Sequence, residues 1–274
     1  MEGVWYRAND RPIVWDLTVP KQGEIKGVVV FIHGYKGFKD WGGFKHMGAV
    51  FAQAGLALLK FNFSHNGGTA TNPIDFPDLE AFGHNTFSKE KEDLRFVSDQ
   101  LDREVGVLAG LGNVPRYLIG HSRGGGIAIL SAEELPFKKV VTWASVCDFA
   151  KRFPNDVSDW EKAGVAYIEN ARTKQQMPHY FSFYQDFAAN KDDLDVGRHA
   201  SQLTKPWLIV HGSADETVLL DEAMALKEKG GRNARLEVID GGSHTFGLAQ
   251  PWMEEDYPEH FQVALVKSIN FLIG

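Results

Sequence analysis

This sequence of 274 residues is poor in the features that mark secreted and membrane-spanning proteins. It has a single cysteine, Cys147, so no intrachain disulfide can form, which fits a reducing compartment. Its N-terminus lacks a basic region followed by an apolar stretch, and we predict no signal peptide. No run approaches the roughly 20 apolar residues that a membrane helix needs. We therefore expect a cytoplasmic protein without a membrane span.

An excess of positive charge is absent as well. The formal net charge is -7, and the densest charged stretch, 89–93, is mixed in sign. Because proteins that bind nucleic acid need a basic surface, we expect no nucleic acid partner. The ten histidines show no H-E-x-x-H spacing and the chain has no cysteine pair, so we expect no metal site. The oligomeric state has no signature in the sequence.

The residues that are present predict an α/β fold. Apolar residues make up 43% of the chain, enough for a full core without disulfides. Apolar runs typical of buried strands alternate with helical patterns, which favours a mostly parallel central sheet of about eight strands with helices on both faces. We predict strands at 4–7, 13–19, 27–32, 56–63, 116–120, 139–144, 207–210 and 235–239. We predict helices at 43–54, 88–101 (capped by Ser88), 124–134, 219–229 and 259–272, and a long loop at 64–85.

The segment 149–201 interrupts this alternation. It holds helical patches, many charges and several aromatic residues, and about 50 residues is small for an independent domain. We therefore interpret residues 1–274 as one α/β domain with a helical cap insertion. The aromatic cluster within 180–187 is predicted to line an apolar substrate pocket, although these rings could instead only cover the sheet edge. We name His65, Phe181 and Tyr184 as candidate substrate-binding residues.

Residues 120–124, with the sequence Gly-His-Ser-Arg-Gly, carry the sharpest functional signal. They have the form G-x-S-x-G between a buried strand and a helix, which predicts a tight turn that exposes the hydroxyl of Ser122 as a nucleophile. Glycines are needed in such a turn because side chains there would collide with neighbouring backbone. Cys147, a lone cysteine, is interpreted as inert.

A serine nucleophile needs a base and an orienting acid, and in this type of turn the acid and then the histidine follow in the chain. Asp215 and His244 each follow a predicted strand, where α/β sheets place their ligands. We therefore predict His244 as general base and Asp215 as the acid. Asp148, which follows an earlier strand, is the alternative acid.

Four motifs in this order resemble those of the α/β-hydrolase superfamily, in its branch of small esterases and acyl-peptidase-like enzymes. They are His33-Gly34, the 120–125 segment, Gly212-Ser213-Ala214-Asp215 and Gly242-Ser243-His244. The segment 60–67 also resembles this branch, but it departs from it where members often carry an Arg or Asp and a Gly-x-Gly pair.

The resemblance implies an α/β-hydrolase fold and an oxyanion hole. Its donors would be the backbone N–H of Arg123 and that of Tyr35, or of Lys36 if the second donor is shifted by one residue. It also implies a serine hydrolase without a cofactor whose substrate is a small ester or related acyl compound. Peptidase, thioesterase and lactonase activities remain alternatives, as does a non-catalytic binding protein on the same fold.

Overall fold

The computed structural model describes residues 1–7, 11–103, 108 and 110–274. Its centre is the expected mostly parallel sheet of eight strands, in the order β1-β2-β4-β3-β5-β6-β9-β10. β2 pairs antiparallel with both β1 and β4, and the other neighbours are parallel. The strands are β1 Glu2–Tyr6, β2 Pro12–Thr18, β3 Gly27–Ile32, β4 Leu56–Phe61, β5 Arg116–His121, β6 Phe137–Trp143, β9 Trp207–Gly212 and β10 Ala234–Ile239.

Helices cover both faces of this sheet, as predicted. Side chains alternate along β3, so that Val28 and Val30 pack in one core cluster and Val29 and Phe31 in the other. Burial on both faces explains why the central strands are continuous apolar runs. The helices outside the insertion are α1 Met47–Gln53, α2 Leu79–Gly83, α3 Phe87–Gln100, α4 Arg123–Ser131, α8 Leu220–Gly230 and α9 Glu259–Ile273.

Three local predictions need correction. The helix predicted at 43–54 is a 3-10 turn over Gly42–His46 followed by α1. The cap of α3 is Thr86 and not Ser88, because the extended backbone of Thr86 lets its hydroxyl accept the N–H of Lys89. The predicted loop 64–85 contains α2, whose first turn is capped by Asp78 through the N–H of Ala81.

The 149–201 insertion contains the expected helical segments and, in addition, an antiparallel hairpin. The hairpin was not predicted, because most side chains of its first strand are exposed and its second strand contains Pro178, which together hide the apolar alternation of a strand. The last helix of the insertion packs against α4 and α8 and so belongs to the helical layer on the sheet. The elements are α5 Ser158–Ala163, β7 Val165–Glu169, β8 Gln176–Tyr180, α6 Ser182–Ala189 and α7 Val196–Gln202.

Within the described ranges, no helix is both long enough and apolar enough to cross a bilayer.

Candidate active site

Ser122 lies in a strained turn between β5 and α4. Its backbone has φ 57° and ψ -119°, a conformation that a residue with a side chain rarely adopts. The flanking glycines make this turn possible. A Cβ on Gly120 would lie 2.3 Å from the carbonyl oxygen of Gly124, and a Cβ on Gly124 would lie 2.5 Å from that of His33. The turn therefore depends on both glycines and lifts Ser122 out of the carboxyl end of the sheet.

Ser122, His244 and Asp215 form a continuous series of hydrogen bonds. His244 Nε2 lies 3.0 Å from Ser122 Oγ, and His244 Nδ1 lies 2.8 Å from Asp215 Oδ2. Asp215 follows β9 and His244 follows β10, so two adjacent parallel strands deliver them to the same edge. Their loops touch, since a Cβ on Gly212 would lie 2.0 Å from the carbonyl oxygen of Gly242. The sheet thus brings together the three residues that the sequence named.

The buried carboxylate of Asp215 is held in its charged form. Its Oδ1 accepts the N–H groups of Thr217 and Val218 at 2.8 and 2.9 Å. Burial alone would raise the pKa of Asp215, but hydrogen bonds to His211 and His244, with further contributions from the His244 charge and Val218, hold that pKa well below its usual range. An ionised carboxylate in this position can accept Nδ1–H of His244 and leave Nε2 free to take a proton.

Asp148, the alternative acid, makes a different interaction. Its Oδ1 accepts the N–H of Ala150 at 2.7 Å, at the start of the 3-10 turn Ala150–Arg152. The hydrogen bonds of the described residues connect His244 to Asp215 and not to Asp148.

The two backbone groups predicted as oxyanion donors both lie next to Ser122. Arg123 is the first residue of α4, so its N–H has no acceptor within the helix. A Cβ on Gly34 would lie 2.9 Å from Ser122 Cβ, which places the 34–35 peptide directly against the nucleophile. The N–H of Tyr35 forms no hydrogen bond within the described part of the chain. Both groups are therefore available to a ligand oxygen at Ser122.

His179, on β8 of the insertion, was not among the residues predicted for the site. Its Nε2 lies 2.6 Å from the hydroxyl of Tyr35, and the guanidinium of Arg123 lies 4.3 Å from the centre of the Tyr35 ring. Burial, followed by the charges of Arg123 and Lys36, lowers the pKa of His179 to about 3. A neutral imidazole from the insertion therefore contacts the residue that carries a predicted oxyanion donor. No motif surrounds His179 in the sequence, so only the fold identifies it.

His121, the residue before Ser122, supports the loop of His244. Its Nε2 lies 3.0 Å from the carbonyl oxygen of His244. Burial, and then the charge of His244, lowers the pKa of His121 to about 3. The ring is therefore neutral near pH 7, and its Nε2–H can donate this hydrogen bond to the carbonyl oxygen.

Two cavities meet at Ser122 and Tyr35. The first, of about 420 Å³, is mainly apolar and is walled by the insertion and the first turn of α4. The second, of about 350 Å³, is more polar and includes His244. Besides Tyr35 and His179, the aromatic residues that line the first cavity are Phe149, Phe153, Trp160 and Phe183.

The three candidate substrate-binding residues lie outside the described linings of both cavities. His65 Nδ1 lies 2.7 Å from Ser64 Oγ. Phe181 packs on Trp160 and Tyr184 packs on Phe153, at 5.6 and 5.3 Å between ring centres. These two rings therefore support cavity walls from behind, because the face of α6 that points inward carries Phe183.

Among the described residues, no group of three or more histidine, cysteine, aspartate or glutamate side chains is arranged to hold a metal ion.

Comparison with known proteins identifies the family of the chain through a sequence model and adds relatives of lower similarity. The sequence model of the alpha/beta hydrolase family matches residues 29–257. An esterase/lipase of Mycoplasma pneumoniae is 24% identical over 262 residues, which cover 85% of this chain and 87% of that protein. A monoacylglycerol lipase of Mycolicibacterium smegmatis is 30% identical over 125 residues, 45% of this chain and 38% of the relative.

Among solved structures, Est1E from Butyrivibrio proteoclasticus with bound ferulic acid superposes with a TM-score of 0.75 at 18% identity, covering 100% of this chain and 98% of that chain. At this identity the likeness concerns the fold.

Proposed function

Because the chain belongs to the α/β hydrolase family, in an esterase-like branch, we propose that it cleaves a carboxylic ester through an acyl-enzyme on Ser122. The observation that carries the proposal is the unbroken series of hydrogen bonds from Ser122 through His244 to Asp215. A serine hydroxyl is a weak nucleophile unless a positioned base removes its proton, and this series supplies the base and its orienting acid.

The proposed reaction has two halves. His244 Nε2 takes the proton of Ser122 as Oγ forms a bond to the ester carbon, and the carbonyl oxygen becomes an oxyanion held by the N–H groups of Tyr35 and Arg123. The bond to the alcohol oxygen then breaks, and His244 gives its proton to that oxygen. In the second half, His244 takes a proton from water, the hydroxide attacks the acyl carbon, and Ser122 Oγ leaves with the proton.

The two cavities are proposed to bind the two halves of the substrate. The leaving alcohol receives its proton from His244 and therefore belongs on the side of the second cavity, which His244 lines. The acyl group then extends into the first cavity, where aromatic walls favour an apolar chain or ring. The bound ligand of the structural relative, ferulic acid, is an aromatic acid, which is compatible with such an acyl site.

The 149–201 segment is proposed to act as the cap of the site, since Phe153, Trp160 and Phe183 come from it. Peptides and thioesters pass through the same kind of acyl-enzyme and are the alternative substrates. A cytoplasmic location remains a prediction, compatible with the free Cys147.

The test is hydrolysis of p-nitrophenyl esters of increasing acyl length by the wild type and by Ser122→Ala. We expect turnover by the wild type only, with a length optimum set by the first cavity. Labelling of Ser122 by a fluorophosphonate probe checks the nucleophile without a substrate. Turnover that survives in Ser122→Ala would contradict the mechanism, and absence of both turnover and labelling would favour a binding protein. Labelling without ester turnover would direct the search to peptides and thioesters.

A further inference from the structure

Lys36 occupies an unusual place beside the nucleophile. It follows Tyr35 directly, lines the second cavity together with Ser122 and His244, and is about half-buried. Its backbone lies in the left-handed region, with φ 51°, which is strained for a residue that carries a side chain. Strain of this kind persists only where surrounding structure imposes it, and it occurs most often at functional sites.

The ammonium group of Lys36 has no anionic partner. Within the described residues it makes no ion pair or hydrogen bond, and Nζ lies 5.3 Å from the centre of the Tyr35 ring. Burial lowers the pKa of Lys36, and no carboxylate opposes that effect. A cation that is partly removed from water and has no counter-ion is stabilised when an anion binds beside it.

The other charged side chain that lines the second cavity is also positive. Its described lining contains no aspartate or glutamate, whereas Arg172, from the turn of the β7–β8 hairpin, adds a second cation. Arg172 is partly compensated, because its Nη2 lies 2.5 Å from Asp75 Oδ1. Lys36 is therefore the main uncompensated charge of this cavity, in a protein whose net charge is -7.

The first cavity differs in this respect. It also contains two cations, Arg123 and Arg152, but both are paired: Glu90 Oε1 lies 3.3 Å from Arg123 Nη1, and Arg152 forms an ion pair with Glu222. Glu90 is itself buried and accepts a hydrogen bond from Asn85. The acyl side of Ser122 thus has its positive charge already paired, and the leaving-group side does not.

From this asymmetry we propose that the alcohol half of the substrate carries a negatively charged group, a carboxylate or a phosphate, which binds Lys36 in the second cavity. The inference rests on the proposed ester hydrolysis for the assignment of the two sides. It names a class of substrate: an ester of an apolar acid with an anionic alcohol or phenol. Arg172 is expected to contribute less than Lys36, because it already has Asp75 as a partner.

The kinetic test compares three chromogenic esters. The first is 4-nitrophenyl butyrate, the second is 3-carboxy-4-nitrophenyl butyrate, with a carboxylate on the leaving group, and the third is the 4-nitrophenyl monoester of glutaric acid, with the carboxylate on the acyl group. We measure the kcat/KM of each charged ester relative to the neutral one. For the second ester this ratio should fall about tenfold in Lys36→Gln, the size of a charge-assisted hydrogen bond. It should fall less in Arg172→Gln.

Two control variants keep the test specific. Lys36→Arg retains the charge and should restore most of the ratio, whereas Lys229→Gln removes an exposed charge of α8 that lines neither cavity and should leave the ratio unchanged. The ratio for the glutaric monoester should not respond to Lys36→Gln. An unchanged ratio in Lys36→Gln, or an equal response of the acyl-side anion, would overturn the proposal.

A binding measurement tests the proposal without any turnover. Calorimetric titration is done at about pH 6, where both phenol groups are largely protonated and the benzoate carboxyl is ionised. With 5-hydroxy-2-nitrobenzoate, the charged leaving group, it should give a dissociation constant about tenfold lower than with 4-nitrophenol, and Lys36→Gln should remove the difference. A phenol that carries a phosphate in place of the carboxylate shows which anion is preferred. Tighter binding of either anion than of the neutral phenol supports the proposal. Equal binding of charged and neutral phenols would overturn it. Ester turnover without anion preference would leave the proposed function standing, and anion binding without turnover would contradict the proposed function alone.

Discussion

The residues proposed for chemistry and those proposed for substrate binding come from different parts of the molecule. Ser122, Asp215 and His244 follow β5, β9 and β10, whose backbones are hydrogen-bonded within one buried sheet. The aromatic walls of the first cavity come largely from the 149–201 insertion, whose hairpin has exposed side chains. We therefore expect the sheet to fix the geometry of the proposed reaction and the insertion to determine which acyl groups bind.

The insertion reaches the reacting part of the molecule through the hydrogen bond between His179 of β8 and Tyr35 of the loop after β3. Tyr35 carries a proposed oxyanion donor, so this contact joins the binding part to the reacting part. If the sheet loops carry the reaction and the cavity walls bind the substrate, substitutions in the loops should lower kcat and substitutions in the walls should raise KM. This contact should be the exception.

The largest effect is expected from the acid. Asp215→Asn should lower kcat by about ten thousandfold, because an amide in this position favours the wrong tautomer of His244. Asp148→Asn is the matched control and should change kcat less than about twofold, since a surface substitution away from such a network has little effect. Steady-state kinetics with the best p-nitrophenyl ester measures both. Equal losses in the two variants would show that the assignment of the acid is wrong.

The next largest effect is expected from a substitution in the wall of the first cavity. Phe183→Ala should raise KM for long acyl esters by about 10- to 30-fold with little change for acetate, since the wall loses the apolar surface of one ring. Phe181→Ala removes a ring of the same size that lies behind the wall, and it should have a smaller effect. Thermal unfolding of both variants separates loss of binding from loss of stability. A fall in kcat for every chain length would instead indicate that the insertion also holds the reacting groups.

A smaller effect is expected at the contact between the two parts. His179→Leu and Tyr35→Phe should each lower kcat about five- to tenfold at nearly constant KM, because each removes the same hydrogen bond that steadies the 34–35 peptide. The double variant should be no worse than either single variant, since the bond can be lost only once. Additive losses would show that the two side chains act independently.

The smallest effect concerns pH. Burial lowers the pKa of His33 to about 4 and those of His121 and His179 to about 3, so all three remain neutral above pH 5. None of the three should therefore contribute to the pH dependence of kcat/KM above pH 5. His179→Gln should leave the shape of the pH profile of kcat/KM unchanged in that range. A profile that changes shape in this variant would mean that His179 takes part in the titration.

Much of the sheet and of the candidate site could be predicted because short-range constraints determine them. Gly120 and Gly124 are required by backbone contacts of the Ser122 turn, and the order of acid and histidine follows from the succession of parallel strands. His65, Phe181 and Tyr184 were named from composition and motif likeness, which do not say which face of α6 points inward. His179 has no local signature at all, because only the return of β8 over the sheet brings it to Tyr35.

The cap of α3 illustrates the same limit on a smaller scale. Ser88 and Thr86 are both suitable capping residues, and the sequence pattern cannot choose between two positions so close together. The choice depends on where the chain leaves its extended conformation, which in this protein is at Thr86.

The packing of α7 also has a practical meaning for protein engineering. α7 ends the 149–201 insertion, and its residues Val196 and Ala200 are buried in the same core cluster as the helices of the sheet layer, where α7 packs on α4 and α8. Phe183 and Phe187 of α6 belong to this cluster too, so a replacement for the segment before Leu194 would need apolar residues at their positions. A chimera that receives a foreign cap should keep α7 from this chain, with the downstream graft junction in the exposed segment 190–193.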